Sequence, residues 1–150
     1  YSDIYKIPVV ALRFFTVYGP RQRPEMAIHL FTRLIMQGKP IPLFGDGLTA
    51  RDYTYIDDII EGVYRAMLYD RTRFEIFNLG NSKTVKLSEL IGIIEQVTGK
   101  KAVIDRKPMQ LGDVEITYAN IAKGNSLLSY RPESDINDGV SEFFEWFETH

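Results

Sequence analysis

The chain has 150 residues, 45% of them hydrophobic, no cysteine and a formal net charge of −2. That length suits one compact unit able to bury roughly two-thirds of its unfolded surface, and the interspersed charges lack the basic face with which a nucleic-acid binder displaces counterions. Disulfides, thiolate catalysis and thiolate metal sites are excluded, and no apolar run approaches the ~20 residues of a membrane span. With no charged-then-apolar leader, the chain reads as cytoplasmic.

The chain opens with Tyr1-Ser2-Asp3-Ile4-Tyr5-Lys6-Ile7-Pro8 and no initiating methionine. Val9-Val10-Ala11-Leu12-Arg13-Phe14-Phe15 is apolar without alternation, the pattern of a parallel strand covered by helices. Such a strand needs neighbours on both sides, so more chain is expected before it. Gly19-Pro20 breaks the strand, and Pro24-Glu25 predicts a helix start. Met26, Ala27, Leu30, Phe31, Leu34 and Ile35 then form one apolar stripe down to Gly38. Residues 40–44 predict a short strand, Gly45-Asp46-Gly47 a turn, and residues 51–56 a further strand. Asp57 or Asp58 is expected to cap a helix carrying Ile59, Val63 and Met67.

Residues 74–79 predict a strand closed by Gly80-Asn81. Ser88 is expected to cap a helix with Leu90, Ile91, Ile94 and Val97 on its apolar face, ended by Gly99. A strand at 101–105, a loop at 108–113 and a short helix at 120–128 follow. The last helix carries Ile136, Val140, Phe143, Phe144 and Phe147 on one side. Strands and helices alternate without repeat or linker, so the class is α/β and residues 1–150 form one domain.

Two segments offer chemistry. Arg13-Phe14-Phe15-Thr16-Val17-Tyr18-Gly19-Pro20-Arg21 ends an apolar strand in polar groups and a glycine, and open α/β sheets bind ligands at the carboxyl ends of their strands. In Phe44-Gly45-Asp46-Gly47 followed by Arg51-Asp52-Tyr53-Thr54-Tyr55, a glycine turn leads to an arginine on a strand, whose fixed donors suit phosphate oxygens. An isolated arginine is more often a solvated surface charge. His29 and His150 have no metal partner at ligand spacing, the acids Asp57-Asp58 are better explained by a helix end than by acid–base chemistry, and Phe143, Phe144, Trp146 and Phe147 read as core.

These segments, in this order and spacing, resemble the NAD-dependent epimerases and dehydratases of nucleotide sugars, the extended short-chain dehydrogenase/reductase family. Phe77-Asn78-Leu79-Gly80-Asn81, Pro108-Met109-Gln110-Leu111-Gly112-Asp113-Val114 and the ending near Trp146 extend the resemblance over essentially the whole chain. Thr16-Val17 and Arg23-Pro24-Glu25-Met26-Ala27 are most similar to the UDP-glucuronate 4-epimerases within it. Related 4,6-dehydratases and UDP-glucuronate decarboxylases more often carry asparagine at the position of Thr16. Glu25, Leu111 and Asn120 depart from the usual aspartate, proline and aspartate.

The resemblance implies a carboxy-terminal, substrate-binding part that includes one strand of the parent Rossmann sheet. It implies that Phe44 lies against uracil, that backbone at Pro42 pairs with the base edge, and that Arg51 and Arg23 grip the pyrophosphate. Thr16 would lie near the sugar, with Phe15 and Val17 beside the nicotinamide, while Gln110 stands where relatives often carry a phosphate-binding arginine. The implied reaction interconverts UDP-glucuronate and UDP-galacturonate through a 4-keto sugar formed by hydride transfer at C4 to NAD. Neither a glycine-rich dinucleotide turn nor a Tyr-x-x-x-Lys pair occurs in these residues; Tyr1 and Lys6 are wrongly spaced to share a helix face. The expected partners are a UDP-sugar and an amino-terminal Rossmann domain that binds most of the NAD, with a homodimer allowed, and this chain alone is expected to be inactive. A UDP-glucuronate decarboxylase, a sugar 4,6-dehydratase or a non-catalytic nucleotide-binding module are the alternatives.

Overall fold

The computed structural model describes residues 1–109 and 112–150. After a single helical turn, α1 (Ser2–Tyr5), strand β1 (Val9–Phe14) runs parallel to β6 (Phe74–Leu79), with Val9 opposite Phe74 and Phe14 opposite Leu79. The apolar run does belong to a parallel pair, but Val9 to Leu12 are only half-buried and Phe14 is exposed. Among the described residues, β1 has one hydrogen-bonded neighbour. A helix, α3 (Ile56–Met67), covers this pair, burying Ile59 and Ala66 against Phe77 and Leu79.

A second parallel pair joins β2 (Thr16–Tyr18) to β5 (Tyr53–Tyr55), with Thr16 opposite Tyr53. A third joins β3 (Ile41–Phe44) to β8 (Ile104–Lys107), and β4 (Ala50–Arg51) lies antiparallel to β7 (Val85–Lys86). Three helices enclose the larger core. Ile28, Phe31 and Ile35 of α2 (Ala27–Met36), Leu90 and Ile94 of α4 (Leu87–Thr98), and Val140 and Phe143 of α6 (Ile136–Thr149) all pack there. A short helix, α5 (Ala122–Leu128), closes the smaller core with Leu128. The aromatic ending is core-facing: Phe143 is fully buried, and His29 packs edge-on against Phe143, Trp146 and Phe147.

Several expected helix starts move. Pro24 takes the second position of a turn closed by Met26 N–H to Arg23 O, where its fixed φ fits, and α2 begins only after Met26. Neither Asp57 nor Asp58 caps α3. The helix starts at Ile56, both acids lie in its first turn near the positive end of the dipole, and the Asp58 carboxylate accepts the N–H groups of Glu133 and Ser134. Ser88 is likewise inside α4. The first N–H groups of that helix, on Leu87 and Ser88, donate to the carbonyls of Thr49 and Gly47, so turn backbone does the work of a capping side chain. The strand expected at 101–105 forms at Ile104–Lys107, the stretch that finds a partner in β3.

Candidate functional site

Alternation along β3 places Ile41 and Leu43 in the core and Pro42 and Phe44 on the opposite face. The same period on 51–53 turns Arg51 and Tyr53 one way and the fully buried Asp52 the other. Thr16 follows the carboxyl end of β1 and pairs with Tyr53. These separate stretches converge: Thr16, Pro42, Phe44, Arg51 and Tyr53 line one cavity of about 310 Å³, walled by Leu30 and Phe31 of α2 and edged by Asp113. The turn after Phe44 needs Gly45 and Gly47, which hold φ of 69° and 81°.

Arg51 is braced before any ligand arrives. Its Nη2 donates to Asp113 Oδ1 at 2.6 Å, and its Nη1 reaches the carbonyls of Ala50 at 3.0 Å and Glu115 at 3.4 Å. The side chain is only 23% exposed, so it sits at the cavity edge rather than in bulk solvent. Tyr53 is buried, and that burial pushes its phenol up to about 12, against the lowering pull of Arg51. Near neutral pH its hydroxyl is therefore a donor and not a base.

Arg23 does not share this cavity. It lies in an adjoining cleft of about 410 Å³ with Phe15, Thr16, Val17 and Gln22, and pairs with Glu25 at 3.3 Å in an exposed ion pair. Thr16 lines both spaces and joins them. The Gln22 side chain donates to the Val17 carbonyl at 3.2 Å, and its own Oε1 is buried without a partner. Phe15 and Val17 give this cleft an apolar wall of the kind on which a flat ring such as nicotinamide packs, although nothing in it repeats a glycine-rich diphosphate cradle. Gln110 lies outside the described residues.

Sequence reasoning passed over Tyr53 and Asp113 as cavity residues. Tyr53 was legible, being two positions from Arg51 along the extended stretch that the sequence marks at 51–56. Asp113 had no local signal, because a loop 62 residues away in sequence brings it to Arg51. Among the described residues, no group of three or more His, Asp or Glu side chains is arranged to hold a metal ion, and no helix is long and apolar enough to cross a membrane.

An α/β chain with its cavity just beyond the carboxyl end of a parallel strand is of the class that binds ligands at such crevices. The chain belongs to the NAD dependent epimerase/dehydratase family, whose pattern matches residues 1–80. It is 40% identical over 147 residues to the UDP-glucuronate 4-epimerase of Thermodesulfobacterium geofontis, covering 97% of this chain and 45% of that protein. The crystal structure of UDP-glucuronic acid 4-epimerase from Bacillus cereus in complex with UDP-glucuronic acid and NAD matches with a TM-score of 0.91 at 36% identity, over 99% of this chain and 48% of that one. The UDP-glucose 4-epimerase of Thermotoga maritima with UDP-glucose matches with a TM-score of 0.92 at 28% identity, over 99% and 48%. The chain thus spans about half the length of the relatives it matches.

Proposed function

We propose that this chain is the nucleotide-sugar-holding part of an NAD-dependent 4-epimerase that interconverts UDP-glucuronate and UDP-galacturonate. The observation that carries the reading is the convergence of Thr16, Pro42, Phe44 and Arg51 on one cavity. Phe44 offers an aromatic face to a pyrimidine, and the Pro42 carbonyl can accept from the base edge. Arg51 supplies donors for the diphosphate. The sugar then extends past Thr16 into the second cleft, where the threonine hydroxyl can donate to a carboxylate at C5, and Arg23, in this cleft and not beside Arg51, is left to the sugar end rather than the diphosphate. When bound there, NAD supplies the hydride acceptor, with Phe15 and Val17 against its nicotinamide.

This division of labour suits an epimerase. The remote nucleotide is gripped by an aromatic and a braced cation, and its binding energy holds the reacting ring in place without fixing which face it presents. The base and the dinucleotide-binding turn belong, on this reading, to an amino-terminal half of the intact protein. Product analysis tests it. UDP-galacturonate formed from UDP-glucuronate without loss of carbon dioxide or water supports the reading. Release of carbon dioxide would make the protein a decarboxylase, release of water a dehydratase, and nucleotide binding without turnover a non-catalytic module.

A further inference from the structure

Asp52 is fully buried, and its carboxylate accepts four hydrogen bonds. Oδ1 takes the N–H of Asn81 at 2.8 Å and the Thr54 hydroxyl at 3.1 Å; Oδ2 takes the N–H groups of Ser82 and Ala119, each at 3.0 Å. Its backbone is equally committed, with its N–H to Thr117 Oγ1 at 3.2 Å and its carbonyl accepting from Thr16 N–H at 3.1 Å. Neutral donors alone compensate this charge, since none of the salt bridges among the described residues includes it. The backbone closes tightly on it: a Cβ on Gly80 would sit 3.2 Å from Oδ2 and collide with Ala119. Two donors on each oxygen fill the carboxylate's roughly four lone-pair sites, which is what a buried charge without a cationic partner requires, and they tie three separate stretches of chain to one side chain.

What those bonds connect is the wall of the cavity. Arg51 is steadied by Asp113 and Glu115, which lie on a segment joined to β4 by Ala50 N–H to Glu115 O at 2.8 Å and Thr117 N–H to Ala50 O at 3.1 Å. The far end of that segment, Thr117 and Ala119, is fastened by Asp52. Because neighbouring residues on a strand face opposite ways, Arg51 reaches the cavity while Asp52 anchors inward. We infer that Asp52 is a positioning residue for nucleotide binding: it clamps residues 117–119 and 80–82 to β5, so that Arg51 meets the ligand already ordered. The inference rests on the reading that Arg51 contacts the diphosphate.

The clamp predicts non-additivity. In the intact protein, calorimetric titration with UDP is expected to show Arg51→Ala weakening binding about ten-fold or more. Asp52→Asn turns one acceptor into a donor facing N–H groups, and should weaken it about three- to ten-fold, the scale of ordering one long side chain on binding. If Asp52 acts through Arg51, the double variant binds no worse than Arg51→Ala within about two-fold. Losses that multiply, or no loss from Asp52→Asn, would overturn the clamp while leaving the role of Arg51 standing. No loss from Arg51→Ala would instead overturn the nucleotide reading and the clamp with it. Should Asp52→Asn fail to fold, Thr54→Val removes one of the four donors with little change of shape. Its expected loss of about two- to three-fold must vanish in the Arg51→Ala background, and persistence there refutes the clamp.

Discussion

Arg51→Ala is the most direct perturbation of the proposed site. The substitution removes a side chain that is 23% exposed and whose guanidinium makes its shortest contact, 2.6 Å, to Asp113. A hydrogen bond to a charged group is worth about 1.5–3 kcal/mol, which corresponds to a ten- to roughly hundred-fold loss of affinity. Two features push the effect toward the upper end. The arginine is braced in advance, so little ordering cost offsets its contact. Removing it also frees the Asp113 carboxylate beside the space where the diphosphate would lie, adding repulsion to the loss of attraction. UDP and UDP-glucuronate should weaken by similar factors, while uridine, lacking phosphates, should weaken about two-fold or less. Isothermal titration of the three ligands against the intact protein and its variant reads this out, and the difference should shrink as salt screens the phosphate contact. Unchanged UDP affinity, or equal losses for UDP and uridine, would show that Arg51 serves the fold and not the ligand.

Thr16→Val keeps the shape and removes the hydroxyl that joins the two clefts; kcat/KM for UDP-glucuronate should fall about ten-fold or more with UDP affinity unchanged, and an equal loss with UDP-glucose would refute carboxylate recognition. Gly139→Ala should destabilise the protein, because a Cβ there would lie 2.9 Å from the Tyr18 ring atoms Cε2 and Cζ. The overpacking costs about 1–3 kcal/mol against about 1 kcal/mol of helix propensity gained. A fall in Tm of a few degrees is expected, and a rise would show that α6 shifts freely. Asp135 caps α6 by accepting the Asn137 N–H at 2.8 Å, and bonds from the Asn137 side chain and backbone hold its carboxyl below the ordinary value of 3.8. Its stabilisation is therefore complete above that value and lost as pH falls through the lower folded one. Asp135→Ala should cost about 0.5–1 kcal/mol in urea melts at neutral pH, and the gap between variant and parent should close in acid; a gap that persists would mean that charge plays no part in the cap.

The elements were legible because hydrophobic periodicity is a local property of the backbone. The stripe from Met26 to Ile35, the face of α4, and the αL glycine that ends α4 at Gly99 need no knowledge of distant chain, whereas α3 buries Ala66 and leaves Met67, expected on its apolar face, exposed at its end. Four cavity residues, Thr16, Pro42, Phe44 and Arg51, were also within reach: the strand end and the arginine after a glycine turn pointed to the two segments, and the family resemblance picked out the individual side chains. Tertiary structure alone decided the rest. The N-terminus of α4 is satisfied by carbonyls of Gly47 and Thr49, so its start carries no capping residue for a sequence to display. Arg23 and Arg51, which the resemblance places on one diphosphate, line two different clefts. The bracing of Arg51 by Asp113, and the fastening of that segment by Asp52, join residues 62 and 67 positions apart. Contacts at such separations leave no periodic trace: any donor of the right kind satisfies a buried carboxylate, and only the folded backbone selects which one arrives.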